Sequence, residues 1–150
     1  MRQGELRQLV QSTGDPAFAV DAAGRIIAAN APAAALFGAT PEEALGLRCW
    51  EMAKGADERG PFCSERCPVR QAAHGRRGIS NFDLLVQTTT GPRWYNVSIL
   101  VVRENGQEGL SAIHVLRDVD TRKRLENLMR EFVITSTGLP PEEAAKLLAV

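Results

Sequence analysis

Three cysteines are the residues best suited to chemistry, and Cys49, Cys63 and Cys67 are spaced C-x13-C-x3-C. Thiolates are soft donors that suit zinc, iron–sulfur clusters or the iron of haem. The glycine-containing segment between Cys49 and Cys63 is able to fold back and bring the three sulfurs together. The spacing matches no standard zinc or ferredoxin motif. The residue type therefore indicates a metal or cofactor site with three cysteine ligands, and the spacing does not select one of these cofactors.

A redox site and plain packing are the alternatives for the same residues. Pro68 is typical of the first residue of a helix, which makes Cys67 the N-cap, where free N–H groups and the helix dipole favour a thiolate. Cys63 lies close enough in sequence to form a disulfide with an oxidised Cys67. Free cysteine is also common as a small buried hydrophobe. All three interpretations remain open.

The other candidates rank below the cysteines as ligands. His74 would lie roughly 10 Å along a helix axis from Cys67, which is too far for one small ion. His114 falls in the middle of a predicted strand, and we interpret it as a satisfied or exposed sheet residue. Trp50 directly follows the first cysteine and is a candidate cofactor-lining residue, although Trp50 and Trp94 are each more typical of a core.

No set of residues in the sequence forms a recognisable catalytic motif. The serines lack the context of a nucleophile elbow. There is no phosphate-binding loop, and no pair of carboxylates has a defensible arrangement for acid–base chemistry. We therefore predict that the chain is not an enzyme.

Composition limits the remaining classes of protein. The chain has 150 residues, 44% of them hydrophobic, and its 18 basic residues balance its 18 acidic residues. That length fits one domain, and zero net charge argues against nucleic-acid binding over the whole surface. No apolar run reaches the roughly 20 residues of a membrane span, and the N-terminus lacks a signal-peptide core. We therefore expect a cytoplasmic protein without membrane contact, in which three cysteines are not a disulfide framework.

Hydrophobic periodicity predicts five strands and three short helices between two longer helices. The segment 46–66 is the least regular part. This order of elements predicts an α+β domain with one antiparallel sheet. The strands are expected within 17–21, 25–30, 79–89, 93–104 and 109–119, and the short helices within 31–37, 41–45 and 68–74.

Both outer helices have an apolar stripe. The N-terminal helix is predicted over 1–13, and a coiled-coil-like helix with apolar residues at spacings of three and four is predicted over 120–136. We expect these stripes to form the interface of a homodimer. The predicted interface residues are Leu6, Leu9, Leu125, Leu128 and Phe132.

The order of elements and four stretches of sequence resemble a PAS domain. The resemblance covers about residues 14–130 and implies the PAS fold, with a five-stranded antiparallel sheet, short helices on one face, and flanking N- and C-terminal helices. It implies a PAS sensor domain over 14–119, between the helix at 1–13 and a signalling helix at 120–136. The four stretches are AFAVDAAGRIIAANAPAAALFG, PEEALGLRCWEMAKG, GPRWYNVSILVVRENG and LSAIHVLRDVDTRKRLENL.

A narrower resemblance is to the PAS domains that precede a LuxR-type helix-turn-helix in bacterial transcription regulators. In that family the PAS domain senses a signal and the C-terminal module binds DNA. Residues 137–150 are therefore expected to be a linker or the beginning of such a module, and DNA binding is expected only through a module that this chain lacks. The residues that carry this resemblance are Cys49-Trp50-Glu51, Cys63, Cys67-Pro68 and Phe82-Asp83-Leu84.

Two functions follow as hypotheses. The first is a sensory domain of a bacterial signal-transduction or transcription regulator. In it, ligand, metal or redox chemistry at the cysteine-lined site is relayed to the dimerising helix. The second is a cofactor-free PAS module for dimerisation or protein interaction, in which the cysteines serve only for packing.

Overall fold

One antiparallel sheet organises the fold in the computed structural model, which describes residues 3–75, 78–103, 109–137 and 142. The strands are β1 (Ala17–Val20), β2 (Ile26–Ala29), β3 (Ala56–Asp57), β4 (Gly60–Pro61), β5 (Phe82–Thr88), β6 (Gly91–Arg103) and β7 (Leu110–Asp118). Their order across the sheet is β2-β1-β7-β6-β5-β3-β4, and every neighbouring pair is antiparallel.

The five predicted strands and the α+β class are confirmed, and the described sheet has seven strands instead of five. The two additional strands, β3 and β4, lie in the segment 46–66, for which no regular structure was predicted. Each has two residues, so neither is long enough to show an alternating pattern. Gly60 and Pro61 in β4 are also residues that disfavour a strand.

The short helices cover one face of the sheet, and two longer helices flank it in sequence. The described helices are α1 (Gln3–Gln11), α2 (Ala31–Leu36), α3 (Pro41–Ala44), α4 (Cys49–Ala53), α5 (Pro68–His74) and α6 (Asp120–Thr137). Asn30 caps α2, and Thr40 with Glu43 forms a capping box at α3. These side chains satisfy the first free N–H groups of each helix, so the starts of α2 and α3 agree with the sequence prediction. Helix α4 was not predicted.

The sheet has an apolar core on each face, because side chains alternate along its strands. On one face, Phe18 and Leu116 belong to a core that includes residues of α3 and α4. On the other face, Ile113 packs with Leu6 and Val10 of α1. The first of these two cores contains the candidate site.

The position of Leu6 corrects the predicted dimer interface. Leu6 is 3% exposed and lies in the core of its own chain. It is one helical turn from Val10, and the two side chains form the face of α1 that covers the sheet. Leu9 lies outside that face and is exposed. Of the two α1 residues assigned to the interface, only Leu9 is accessible to a second copy.

The chain consists of two compact units, one ending at Asp118 and the other beginning at Val119. The first unit contains α1 to β7, and the second contains α6. Most of the segment 137–150, where a linker or further module is predicted, lies outside the described residues. Among the helices that the structure describes, none is long and apolar enough to cross a membrane.

Candidate functional site

Two small cavities lie between the short helices and the sheet. The first has a volume of about 40 Å³, and we call it the thiol cavity because Cys49, Cys63 and Cys67 all line it. The second, which we call the adjoining cavity, has a volume of about 30 Å³. The structure therefore brings the three predicted site cysteines to one cavity. The residues that line both cavities are Cys49, Trp50, Cys67, Val69 and His114.

The three cysteines reach this cavity from different local structures. Cys49 is the first residue of α4, and its N–H donates to the carbonyl of Gly24 at 3.0 Å. Cys63 follows β4, and its N–H donates to the carbonyl of Gly55 at 3.0 Å. Cys67 occupies the N-cap position of α5, as predicted, and its side chain makes no capping hydrogen bond. Residues that are distant in sequence thus meet through the packing of α4 and α5 over the sheet.

Two of the thiols are held in the neutral form. Burial raises the pKa of Cys49 to about 12, and the nearby Cys63 and Cys67 raise it in addition. Burial also raises the pKa of Cys63 to about 11, although the backbone of Gly55 partly opposes this effect. Both thiols are therefore protonated at neutral pH, and a protonated thiol is a poor nucleophile.

The shared cavity does not amount to a formed metal centre. Within the described ranges, no group of three or more His, Cys, Asp or Glu side chains is arranged to hold a metal ion. All three cysteines are free thiols. The assignment of Cys49, Cys63 and Cys67 as ligands of a metal or cofactor therefore stays a prediction.

Trp50 lies between the two cavities and the protein surface. It lines both cavities and also an open groove on the outside, which His74 lines as well. The guanidinium carbons of Arg48 and Arg70 lie 5.5 and 5.1 Å from the centroid of its ring. Each arginine also donates a hydrogen bond to the carbonyl of Ala23, at 2.8 and 2.9 Å. Trp50 is thus fixed beside the cysteines, while its contact with a cofactor stays a prediction.

His114 is a residue of the site that the sequence interpretation missed. It was interpreted as a satisfied or exposed sheet residue, whereas it lines both cavities. Its ring stacks on that of Phe18, with centroids 4.6 Å apart and an angle of 11° between the planes. Its Nδ1 is buried and has no hydrogen-bond partner among the residues that the structure describes.

The chemistry of His114 is that of a neutral imidazole. Burial lowers its pKa to about 4, and the backbone of Ala112 opposes this effect only in part. A sequence signal for this position was present, because period-two alternation along β7 places His114 on the same face as the buried Ala112 and Leu116. A neutral imidazole offers one nitrogen that accepts a hydrogen bond or binds a metal ion.

The predicted interface residues of α6 are exposed in the single chain. The exposed fractions are 55% for Leu125, 62% for Leu128 and 70% for Phe132, and Met129 is exposed beside them. A row of exposed apolar side chains at spacings of three and four is typical of a helix that packs on a partner helix. The homodimer itself stays a prediction.

PAS domains are among the solved structures with a similar fold. One is the PAS domain of an HTR-like protein from Haloarcula marismortui, with 20% identity, a TM-score of 0.56, and coverage of 77% of this chain and 96% of that chain. A PAS domain from Colwellia psychrerythraea has 18% identity, a TM-score of 0.60, and coverage of 79% and 98%. The PAS domain of nitrogen regulation protein NR(II) from Vibrio parahaemolyticus has 14% identity, a TM-score of 0.55, and coverage of 76% and 97%.

Comparison with family models also identifies a PAS domain, although comparison with curated sequences finds nothing. No curated protein sequence matches the chain. The family model described as "PAS fold" matches residues 10–124, which is more than half of the chain. This range contains β1 to β7, both cavities and all three cysteines. The sheet order, the helices over one face and the family match together show that the chain belongs to the PAS family.

Proposed function

We propose that the chain is the sensory domain of a bacterial signal-transduction protein and that the thiol cavity receives the signal. The observation that carries this proposal is that Cys49, Cys63 and Cys67 line one cavity. Protein interiors are close-packed, and unfilled space costs stability. Cysteines that served only for packing would be expected to fill the space between them, so the cavity supports a binding role.

Strand β7 is the proposed route from the cavity to the output. His114 lies on β7 and lines the cavity, and the chain passes from Asp118 through Val119 into α6. An occupant that shifts β7 would act directly on the start of α6. Two states that differ by a few kcal/mol are enough for a switch of this kind. The exposed stripe of α6 would carry the change to a second copy of the chain.

Ligand or metal binding fits the cavity better than thiol redox chemistry does. The thiols of Cys49 and Cys63 are neutral at physiological pH, and the thiolate is the form that attacks an oxidant or a disulfide. A haem is larger than a cavity of about 40 Å³ and would require its walls to separate. The geometry therefore favours a small occupant.

The wider protein is proposed to be a transcription regulator. This step is supported by the resemblance of the cysteine frame to PAS domains that precede a LuxR-type module. In such a protein the domain would dimerise, would catalyse no reaction, and would contact DNA only through the module that follows it. The three free thiols support a cytoplasmic location, because a reducing compartment preserves them.

A cofactor-free dimerisation module is the second candidate, and the exposed stripe on α6 favours it. Leu125, Leu128 and Phe132 need only a second copy of the helix to be buried, and no occupant of the cavity. In this case the thiol cavity would stay empty or hold water, and its state would not affect the dimer.

The experiment that separates the two candidates is anaerobic purification of the full chain, followed by its absorption spectrum, metal analysis and mass by light scattering. Broad visible bands with iron and sulfide would indicate a cluster, a Soret band would indicate haem, and a colourless protein with bound metal would indicate a single ion. The sensory proposal predicts a bound group whose removal changes the dimer. A metal-free, colourless protein whose dimer is unaffected by replacing all three cysteines with alanine would support the second candidate.

A further inference from the structure

The cavities contain one polar atom without a partner. Nδ1 of His114 is buried, lies in a ring that lines both cavities, and has no hydrogen-bond partner in the described part of the chain. Buried polar atoms in proteins are almost always paired, and an unpaired one is a reason to look for a missing group. The ring that carries this atom lines both cavities, so a group held there is a candidate partner for it.

Size restricts what that group is. Cavities of about 40 and 30 Å³ have room for an ion or a few small atoms, and they are much smaller than the roughly 150 Å³ cavity that accommodates benzene. A molecule of two or three atoms that is held by non-covalent contacts alone binds no more tightly than about millimolar. Coordination bonds give a much higher affinity to an occupant of the same size, so the dimensions of the cavity favour a metal ion.

The donors around the cavity are those that thiophilic ions prefer. Cys49, Cys63 and Cys67 supply sulfur, and His114 supplies an imidazole nitrogen. Three thiolates and one imidazole are an established ligand set for tetrahedral zinc.

We propose that the thiol cavity binds one thiophilic metal ion, with zinc as the reference case, through Cys49, Cys63, Cys67 and Nδ1 of His114. This inference rests on the proposed function only in taking the thiol cavity as the input site. On binding, three S–H bonds are replaced by three metal–sulfur bonds and three protons pass to solvent. His114 keeps its proton on Nε2 and coordinates through the Nδ1 lone pair. No electron is transferred.

The donors must move together for the ion to bind, because no three of them are yet arranged as ligands in the described residues. Cys49 is on α4, Cys63 and Cys67 lie in the connection between β4 and α5, and His114 is on β7. The ion would therefore tie two helices and their connecting loop to the strand that leads into α6. Binding of the ion would therefore change the position of β7, and this change would pass along the chain into α6.

Cobalt(II) chloride is the probe for the first test, since tetrahedral cobalt–thiolate sites absorb in both the ultraviolet and the visible range. The reduced full chain is titrated anaerobically, and zinc chloride is then added as competitor. We expect thiolate-to-cobalt charge-transfer bands, intense visible bands of tetrahedral cobalt, one ion per chain, and displacement by zinc. Failure of the wild-type chain to develop charge-transfer bands would overturn the proposal.

His114→Phe tests the fourth ligand, because phenylalanine keeps a ring to stack on Phe18 and removes the nitrogen. We expect cobalt affinity to fall by more than about tenfold, which is what the loss of even an outer-shell partner of a metal ligand costs. The tetrahedral bands should change as well. His74→Gln is the matched control, since His74 is exposed and lines the outer groove, and it should bind cobalt like the wild type.

X-ray absorption of the zinc-loaded wild-type chain counts the ligands without relying on any variant. We expect three sulfur neighbours at about 2.3 Å and one nitrogen at about 2.0 Å. Sulfur ligands without a nitrogen would overturn the role of His114. A metal held by all four donors that leaves the dimer unchanged would support this site and would instead contradict the sensory relay.

Discussion

Gly24 lies directly beside Trp50, so close that a β-carbon at Gly24 would be 2.6 Å from Cζ3 of the indole. Gly24 also has a φ of +82°, which an L side chain adopts only with strain. Its carbonyl accepts the N–H of Cys49 at 3.0 Å. The turn between β1 and β2 therefore holds the start of α4 in place and fixes one wall of both cavities.

Gly24→Ala is expected to destabilise the fold and to displace Trp50. The substitution adds backbone strain and an overpacking cost of about 1–3 kcal/mol at the indole. Urea unfolding measures the loss of stability. Fluorescence in a Trp94→Phe background reports the environment of Trp50 alone, because the chain has two tryptophans.

Gly46→Ala is the matched control for this change. Gly46 has a φ of +86°, and no atom lies within 4 Å of the position of its added β-carbon. It should show the cost of backbone strain without the contact to Trp50. Equal losses of stability in the two variants, with unchanged Trp50 fluorescence, would show that the close contact has no energetic effect.

Asn30→Ala is expected to lower the free energy of unfolding by about 2–4 kcal/mol, because one buried amide joins three segments. Its Oδ1 accepts the N–H of Ala17 at 3.0 Å and that of Ala33 at 2.9 Å. Its Nδ2 donates to the carbonyls of Val10 at 3.1 Å and Asp15 at 2.9 Å. Chemical denaturation of the variant measures the loss.

The control for Asn30 is a second asparagine, whose side chain joins only two neighbouring strands. Asn96 is partly buried, and its Nδ2 donates to the carboxylate of Asp83 at 3.1 Å. Asn96→Ala should cost less than Asn30→Ala by at least about 1 kcal/mol. A larger loss at Asn96 would contradict the central position that we assign to Asn30.

His114 is expected to make the fold less stable as the pH falls from 6.5 towards 4. Its pKa is about 4 in the folded chain, against an ordinary value of 6.5. Within this window the unfolded chain binds a proton that the folded chain does not, so the free energy of unfolding falls with pH, by at most about 3 kcal/mol. Urea unfolding at a series of pH values measures this dependence.

The contribution of His114 to the pH dependence of stability is the difference between the pH profiles of the wild type and of His114→Phe. His114→Phe should show a weaker loss of stability over the same window, whatever its stability at pH 7. The exposed His74→Gln should follow the wild type. Identical pH profiles for the wild type and His114→Phe would show that His114 is not held neutral.

Cys49 and Cys63 are expected to react slowly with iodoacetamide. Their raised pKa values leave little thiolate at neutral pH, so alkylation should be at least about tenfold slower than in the chain unfolded by guanidinium. Peptide mapping by mass spectrometry measures each site separately. The rates should still be rising above pH 9, the ordinary value for a cysteine thiol, and a plateau below that pH would contradict the raised pKa values.

Leu128→Asp is expected to convert the predicted dimer into a monomer, since it puts a charge in the middle of the exposed stripe of α6. Light scattering measures the mass. Leu45→Asp is the control, because Leu45 is an exposed leucine at the end of α3, outside that stripe. A Leu128→Asp protein that remains dimeric would show that α6 does not form the interface.

The elements with a clear periodic pattern or a capped start were predictable from the sequence, and the short elements with neither were not. The strands β6 and β7 alternate over many residues, and the cap Asn30 marks the start of α2. Helix α4 has five residues, and no side-chain hydrogen bond caps it at Arg48. An uncapped helix of little more than one turn leaves no clear signal in the sequence.

At the site, residue type was enough to select the cysteines as candidate ligands, but their chemical environment is visible only in the folded structure. The sequence placed Cys49, Cys63 and Cys67 in one irregular segment, and the structure brings them to one cavity. Neither the raised pKa values of Cys49 and Cys63 nor the unpaired nitrogen of His114 follows from spacing, because both depend on burial by residues from other strands and helices. Leu6 was misassigned because an apolar stripe does not show whether it covers a sheet or a partner.

The connection between β7 and α6 is a single residue, so the number of residues in the helix that follows sets the orientation of anything joined to its end. Val119 alone separates the last residue of the strand, Asp118, from the first residue of the helix, Asp120. Each residue added within a helix rotates everything beyond it by about 100°. A domain joined to the end of α6 would therefore be held at a rotational phase that depends on linker length. Exchange of such domains in evolution would then be restricted to joints that preserve this phase, such as insertions of about seven residues.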